Sequence, residues 1–349
     1  MPISKTILAT AIIAGFTAAA ASAQAQDAVA QFYKGRNLDL IIGAAPGGGY
    51  DIYARVIARH IDKYIPGQPT IVPKNMPGAG SNKAAAFLYN VAPKDGSAMG
   101  AIFSGAIMDP LLGDDRSKVQ HDPTKFIYLG SANDEVSLCA IRADSPAKSL
   151  QEAMKTPITL GASAAGGSTR DFPSALNKLI GTKFNLVSGY PGTKEITLAV
   201  ERNEVQGVCG YYWSSLSTQN PEWVSGGKMI LLAQEALKGH AELNKMRVPV
   251  AVDFAKTDED RQVLDLIYSQ LVFGRPYILP PDVPEARAAA LRKAFGEVMK
   301  DKDMLADAAK SRIEISPVSG EEVQALVTKV FATPKRIVER AKEAQAYKK

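Results

Sequence analysis

Asn37-Leu38-Asp39-Leu40-Ile41-Ile42-Gly43-Ala44-Ala45-Pro46-Gly47-Gly48-Gly49-Tyr50-Asp51 is the stretch from which the architecture of this chain can be read. Asn37 to Gly43 is a nearly unbroken apolar run, the pattern of a strand buried on both faces of a parallel sheet. Pro46 to Gly49 break it. Downstream, Tyr53, Ile57, Ile61 and Ile65 recur every four residues, while Arg55, Arg59 and Lys63 keep the same spacing on another face. That is a helix with one core stripe and one solvated stripe, stopped at Pro66-Gly67. Strand, glycine loop, helix is the unit of an open α/β sheet. It places the loop at the carboxyl end of the strand, the edge where such sheets hold their ligands.

The unit recurs. Thr70 to Val72 reads as a strand, Pro77-Gly78-Ala79-Gly80-Ser81 as a turn and Asn82 to Tyr89 as a helix. A third strand over Ala98 to Phe103 ends at Ser104-Gly105, and apolar runs follow at Phe126 to Leu129 and Val136 to Ile141. The alternation then restarts. A helix near Leu150, a strand at Ile158 to Leu160, the loop Ala162 to Thr169 and a helix to Ile180 come first. A strand at Phe184 to Val187, the loop Gly189-Tyr190-Pro191-Gly192, a helix through Val200 and a strand at Val205 to Cys209 come next. Mostly parallel sheets with right-handed crossovers are expected, and because the pattern is laid down twice, two α/β lobes.

Lys228 to Ala233 is a further strand, after which helices dominate: near Asp258 to Tyr268, Glu285 to Met299, and from Gly320 with an interruption at Pro334. Leu271 to Gly274 reads as a strand among them. One strand cannot form its own sheet, so the chain is expected to return and complete the first lobe. The expected division is a leader over 1–25, the first part of lobe 1 over 26–135, lobe 2 over 136–235, and a return to lobe 1 with C-terminal helices over 236–349. Two crossings imply a hinge.

Composition narrows the function. Of 349 residues, 46% are hydrophobic and 22% charged, as in ordinary globular proteins, and the net charge is +5. That excess is too small for a nucleic-acid footprint or a polybasic membrane anchor, and it suits a small anionic ligand. Lys5, the apolar run Ile7 to Ala20, and the overlapping sites Ala21-Ser22-Ala23 and Ala23-Gln24-Ala25 have the form of a secretory leader, which predicts an exported, periplasmic chain. Cys139 and Cys209 lie in apolar, strand-like runs. They read as two buried thiols in neighbouring strands, or, in an exported chain, as an oxidised pair. Neither zinc nor another metal is suggested by Cys/His spacing.

Four glycine- and hydroxyl-rich loops fall at carboxyl ends of strands: Pro46 to Asp51, Pro77 to Ser81, Ser163 to Thr169, and Gly189 to Gly192. Glycines allow close backbone approach, and the following helix offers open N–H groups at the positive end of its dipole, so an anion is the natural partner. Tight strand-to-helix packing explains any one loop equally well, but explains all of them together less well. Neither the P-loop pattern nor a dinucleotide fingerprint is present, so nucleotides are disfavoured and no cofactor is expected. Burying a carboxylate costs several kcal/mol, and each charge-assisted hydrogen bond returns about 1.5–3 kcal/mol, so about three or four loop donors suffice.

Catalytic patterns are sparse. His60, His121 and His240 accompany no recognisable nucleophile, and G-x-S-x-G is absent. Ser145-Pro146-Ala147-Lys148 matches S-x-x-K, but its partner motifs are missing and it reads as a helix entry. Tyr211-Tyr212-Trp213 either walls a cleft or packs a lobe core. Arg170 either pairs with a second ligand carboxylate or lies solvated, and Asp51 either caps its helix or accepts a hydrogen bond from a ligand.

At these loops the sequence resembles the extracytoplasmic solute receptors of tripartite tricarboxylate transporters, the Bug or TctC-like family. Ala45-Pro46-Gly47-Gly48-Gly49-Tyr50-Asp51 is similar to the family's A-P-G-G-G-x-D, Met76-Pro77-Gly78-Ala79-Gly80-Ser81 to its R-P-G-A-G-G, and Ala92-Pro93-Lys94-Asp95-Gly96 to its A-P-x-D-G. The resemblance implies a type II periplasmic-binding-protein fold, two α/β lobes closing on an organic carboxylate, and partnership with subunits of such a membrane transporter. It carries ligand contacts to Gly48, Gly49, Tyr50, Asp51, Gly80, Ser81 and Ser104 in one lobe and to Ser163, Gly167, Ser168 and Thr169 in the other, with Arg170 and Tyr211 as further candidates. Tyr50 stands where the family has a smaller residue, and Thr169-Arg170-Asp171 where many members have a polar residue and histidine. A monomer is expected. The competing readings are an exported enzyme using Asp51, Ser163 or Tyr211 on a carboxylated substrate, and a sensor that shows its closed form to a signalling partner.

Overall fold

The computed structural model describes residues 26–113, 119–163 and 166–346, so the leader, and Ala164 and Ala165 of the Ser163 to Thr169 loop, lie outside the described residues. A helix over 26–33 (α1) leads to β1 (Asn37–Ile42) and, after the glycines, α2 (Gly49–Ala58). Next come β2 (Thr70–Asn75), α3 (Asn82–Asn90), β3 (Ala98–Ala101), α4 (Ser104–Leu112) and β4 (Ile127–Ser131). The second passage holds β5 (Ser137–Arg142), α5 (Leu150–Ala153), β6 (Ile158–Ala162), α6 (Ser168–Leu179), β7 (Phe184–Ser188) and α7 (Thr193–Glu201). It ends with β8 (Gly207–Tyr212), α8 (Trp213–Gln219), α9 (Pro221–Ser225) and β9 (Met229–Glu235). The remainder is α10 (Ala241–Lys245), α11 (Asp258–Val272), β10 (Pro276–Leu279), α12 (Glu285–Val298), α13 (Lys302–Lys310), β11 (Val318–Ser319), α14 (Gly320–Phe331) and α15 (Lys335–Gln345).

Two sheets result, one of six strands in the order β11-β4-β10-β3-β1-β2 and one of five in the order β7-β6-β8-β5-β9. β1 pairs in parallel with β2 and β3, and β6 with β7 and β8. The expectation of mostly parallel sheets needs a correction. β10 is antiparallel to β3 and β4, and β5 is antiparallel to β8 and β9. β5 and β10 are each the first strand laid down after the chain crosses from the other sheet, whereas the two-residue β11, also antiparallel to β4, comes later. A strand entered from the crossing starts at the edge where its neighbours end, so it runs the opposite way.

The strand expected at Leu271 to Gly274 is also displaced. α11 continues to Val272 because Leu264, Ile267 and Leu271 keep helical spacing against the core, and the strand follows at β10. β10 inserts between β3 and β4, so the chain does come back to the first sheet. The last helices are shared. α14 packs on β4, while α15 lies on α6 of the second sheet, on α11 and on α4.

Local reading and packing agree at the opening segment. Leu38, Leu40 and Ile42 enter one hydrophobic cluster and Ile41 another, so β1 is buried on both faces. Tyr53, Ile57, Ile61 and Ile65 are all buried, and burial of each isoleucine is worth about 1.5–3 kcal/mol. α2 itself stops at Ala58, and a 3₁₀ turn at Asp62–Tyr64 carries the stripe onward. Cys139 in β5 and Cys209 in β8 are joined in a disulfide, so the oxidised alternative holds. Among the described residues no helix is long and apolar enough to cross a membrane.

Candidate ligand site between the two sheets

The β1–α2 loop is held open by its own aspartate. Asp51 is buried in the first turn of α2 and accepts from the Gly47 amide at 2.8 Å, from Arg55 Nε at 3.0 Å and from Asn75 Nδ2 at 2.8 Å. Arg55 Nη2 also donates to Asn75 Oδ1 at 2.7 Å, closing a three-residue clamp. Burial alone would raise the Asp51 carboxyl, but the bonds from Arg55, Gly47 and Asn75 outweigh it and hold the group below the usual range. Ile52 N is the amide taken by the Gly48 carbonyl, at 3.0 Å, so the preceding amides are the open ones of a helix start.

The β2–α3 loop is strained. Ala79, Gly80 and Ser81 lie successively in the left-handed region, at φ 47, 59 and 76, a conformation that costs roughly 1 kcal/mol or more per residue bearing a Cβ. Ser81 Oγ fastens the loop by donating to Gly43 O at 2.8 Å. At the end of β3, Ser104 opens α4, and its amide donates to the Tyr50 hydroxyl at 3.4 Å.

The β6–α6 loop of the second sheet repeats the aspartate device. Asp171 Oδ2 accepts from the Gly166 amide at 2.9 Å, and Arg170 Nη1 is on Asp171 Oδ1 at 2.8 Å. The hydroxyls counted as ligand donors are partly engaged within the protein. Thr169 Oγ1 accepts from Ser163 N at 3.0 Å and donates to Ser163 Oγ at 2.8 Å, and Ser168 Oγ donates to Gly210 O at 2.8 Å. Arg170 N and Asp171 N both donate to Gly167 O, which leaves the Ser168 and Thr169 amides as the open start of α6. The two sheets meet here. A methyl group built on Gly105 would sit 3.8 Å from the Gly166 carbonyl.

Where the chain crosses, its two passages are bonded together. Ala132 N donates to Arg275 O at 3.0 Å, Glu135 N to Leu271 O at 2.9 Å and Arg275 N to Ser131 Oγ at 3.0 Å. Arg275 and Glu135 form a buried ion pair at 3.1 Å, with side-chain exposures of 4% and 0%, and Ser214 Oγ adds a bond to Glu135 at 2.7 Å. Burial opposes the guanidinium charge, but Glu135 overrides that and keeps Arg275 protonated. Rings from both sheets cover it: its central carbon lies 4.3 Å from the Tyr50 ring centroid, 4.9 Å from Tyr53 and 5.6 Å from Tyr212.

The predicted residues therefore fall into two groups. Gly48, Gly49, Tyr50, Asp51, Gly80, Ser81 and Ser104 are on first-sheet loops, and Ser163, Gly167, Ser168, Thr169 and Arg170 on the facing second-sheet loop. Tyr211 is elsewhere. It is buried in the second sheet's core, edge-on to Trp223, with its hydroxyl on Asn220 Oδ1 at 2.9 Å. Tyr212, next along β8, is the one that meets Arg275. The alternation of a strand was the available signal, since Cys209 and Tyr211 share a face that Tyr212 does not. Arg275 was missed, and its position between Phe273-Gly274 and Pro276 gave little warning. Lys148 Nζ of the S-x-x-K stretch is on the Ser145 carbonyl at 2.8 Å, and His60 is on Asp307 at 3.0 Å.

No known protein-family description matches the chain. Among curated proteins, the UPF0065 protein in gbd 5′ region of Cupriavidus necator is 35% identical over 150 residues, a match covering 42% of this chain and 43% of that one, less than half of either. Among solved structures, a TctC solute-binding protein from Polaromonas superposes with a TM-score of 0.65 at 18% identity, over 88% of this chain and 99% of that one. The periplasmic binding protein BugD gives 0.65 at 19% over 91% and 100%, and MatC of Rhodopseudomonas palustris, solved with malate, gives 0.62 at 20% over 89% and 99%. The resemblance read at the glycine loops thus extends to three dimensions: this chain has the two-lobed α/β fold of the TctC and Bug solute-binding proteins.

Proposed function

We propose that this chain is a periplasmic solute-binding receptor that captures an organic carboxylate by closure of two lobes and delivers it to a membrane transporter of the tripartite tricarboxylate type. The observation that carries this reading is the juxtaposition of open helix-start amides from both sheets. Gly48 and Gly49 supply them on one side and Ser168 and Thr169 on the other, with Gly80 and Ser81 on the adjoining first-sheet loop, while Asp51, Ser168 Oγ and Thr169 Oγ1 are engaged within the protein. Such a site binds through main-chain N–H groups and breaks no bond. Malate in MatC supports the carboxylate assignment. A ligand held by both lobes binds the closed form better than the open one, and that difference drives closure.

The test is thermal-shift screening of mono-, di-, tri- and aromatic carboxylates, with mass spectrometry of copurified compounds and small-angle scattering. A true ligand at about 100 times its Kd stabilises the protein by about 2.7 kcal/mol, makes it more compact and is recovered intact. A panel without effect, or recovery of a converted product, overturns the reading.

A further inference from the structure

Tyr50 stands inside the proposed site. Its backbone lies in the first turn of α2 between Gly49 and Asp51, yet its hydroxyl reaches the crossing, donating to Gly274 O at 2.7 Å and accepting from Ser104 N at 3.4 Å. Its ring packs 4.4 Å from Phe103, centroid to centroid, and covers the Arg275 guanidinium. Tyr212 approaches the same cation from the second sheet. The amide that opens α4 is thereby taken by a phenol, and the strongest buried cation near the loops lies behind rings and is paired with Glu135.

We propose that Tyr50 closes the crossing end of the crevice, so that the site takes a single carboxylate carried on a flat apolar or aromatic body and rejects acids with a second carboxylate at the far end. This rests on the carboxylate-receptor reading and narrows it. A carboxylate at the loops meets helix-start amides. A distal one pressed against Tyr50, Phe103 and Tyr212 loses its water and gains no donor, whereas an apolar body is stabilised by the same rings. Arg275 Nε and Glu135 Oε2 have no hydrogen-bond partner among the described residues, so Arg275 retains a donor that a second carboxylate can use once the ring is gone.

The experiment compares matched pairs by calorimetry, benzoate with terephthalate and hexanoate with adipate, on the wild type, Tyr50→Phe and Tyr50→Ala. The wild type is expected to favour the single-headed acid of each pair by about tenfold or more. Tyr50→Phe keeps that preference because the ring still covers Arg275. Tyr50→Ala narrows it to about threefold or reverses it. A wild type that takes terephthalate or adipate as tightly as its single-headed partner overturns the inference while leaving the receptor reading standing, and so does a folded Tyr50→Ala with unchanged preference. Silence toward every carboxylate overturns both. If Tyr50→Ala does not fold, the wild-type comparison and Tyr50→Phe still decide.

Discussion

The two helix-entry loops of the crevice share a clamp but are pinned by different physics. In the first sheet, Asp51 holds the Gly47 amide and is itself held by Arg55 and Asn75, the latter at the end of β2. In the second, Asp171 holds the Gly166 amide, and the loop is braced instead to β8 through Ser168 Oγ and Gly210 O. Steric room differs as well. A methyl group on Gly47 meets nothing within 4 Å, whereas one on Gly210 falls on the Ser168 carbonyl and on the Thr169 amide at 2.5 Å. The first loop is fastened by side-chain bonds, and the second is in addition pressed against the backbone of β8, although Gly166, which like Gly47 gives its amide to an aspartate, has nearly as much room. Similar glycine motifs in a sequence can therefore have unlike tolerances.

Gly210→Ala is the strongest way to break this contrast. The position has φ +71 and no room for a side chain, so the substitution should cost roughly 3 kcal/mol or more in urea denaturation and weaken carboxylate binding by about tenfold. A variant of wild-type stability would remove the steric half of the comparison. Behind the same loop sits Glu235, which accepts from Gly210 N at 2.7 Å and from Ser137 Oγ at 3.0 Å. Burial lifts its carboxyl from 4.5 to about 7, against the opposing pull of those two bonds. The folded state therefore holds the proton more tightly than the unfolded state. Stability from this group is complete below about pH 4.5, declines as pH rises towards 7 and is flat above, by an amount on the order of 3 kcal/mol. Tyr268, whose hydroxyl has no hydrogen-bond partner among the described residues, faces the same carboxyl from α11. Glu235→Gln should flatten the melting temperature between pH 4.5 and 7, and an unchanged slope would assign the dependence to other groups.

The aspartates rank next. Asp51→Ala strands Arg55, Asn75 and the Gly47 amide and should cost about 2 kcal/mol, and Asp171→Ala, which removes a more exposed carboxylate (12% against 4%), about 1 kcal/mol. Equal losses in denaturant would show that the two clamps are equivalent. Acid separates Asp51 from Glu235. Since bonding holds the Asp51 carboxyl below 3.8, its contribution is present above that pH and fades as the solution becomes more acidic, outside the window in which Glu235 acts.

Much of the fold was legible in the sequence because it is written in local patterns. Leu38, Leu40, Ile41 and Ile42 are apolar and buried on both faces, and Tyr53, Ile57, Ile61 and Ile65 announce their stripe. The loops were legible for the same reason, as glycines between a strand and a helix. Leu271 to Gly274 misled because three apolar residues in a row satisfy a strand and the end of a buried helix equally well, and only contact with α14 and α15 decides. Arg275 and Glu135 lie 140 positions apart in number yet touch, and no local pattern announces a pair made by two crossings. The engagement of Ser168 and Thr169 hydroxyls was hidden too, since composition counts donors without showing where they point.

The finest test concerns Gly48, a glycine within the first loop itself that caps α2. Its φ of −80 and ψ of 166 are ordinary for any residue, and a methyl group there would first meet the Ala45 carbonyl at 3.6 Å, a normal contact. Neither strain nor clash follows, so Gly48→Ala should change stability by less than about 0.5 kcal/mol. Its effect belongs to the crevice, where the added methyl crowds the approach to the α2 amides and should weaken carboxylate binding by about threefold. Calorimetry and denaturation of this variant beside Gly210→Ala would separate binding from folding: one loop loses affinity while keeping its stability, the other loses both. If Gly48→Ala instead unfolded the protein, the first loop would be as tightly packed as the second, and its glycines would be there for the fold rather than for the ligand.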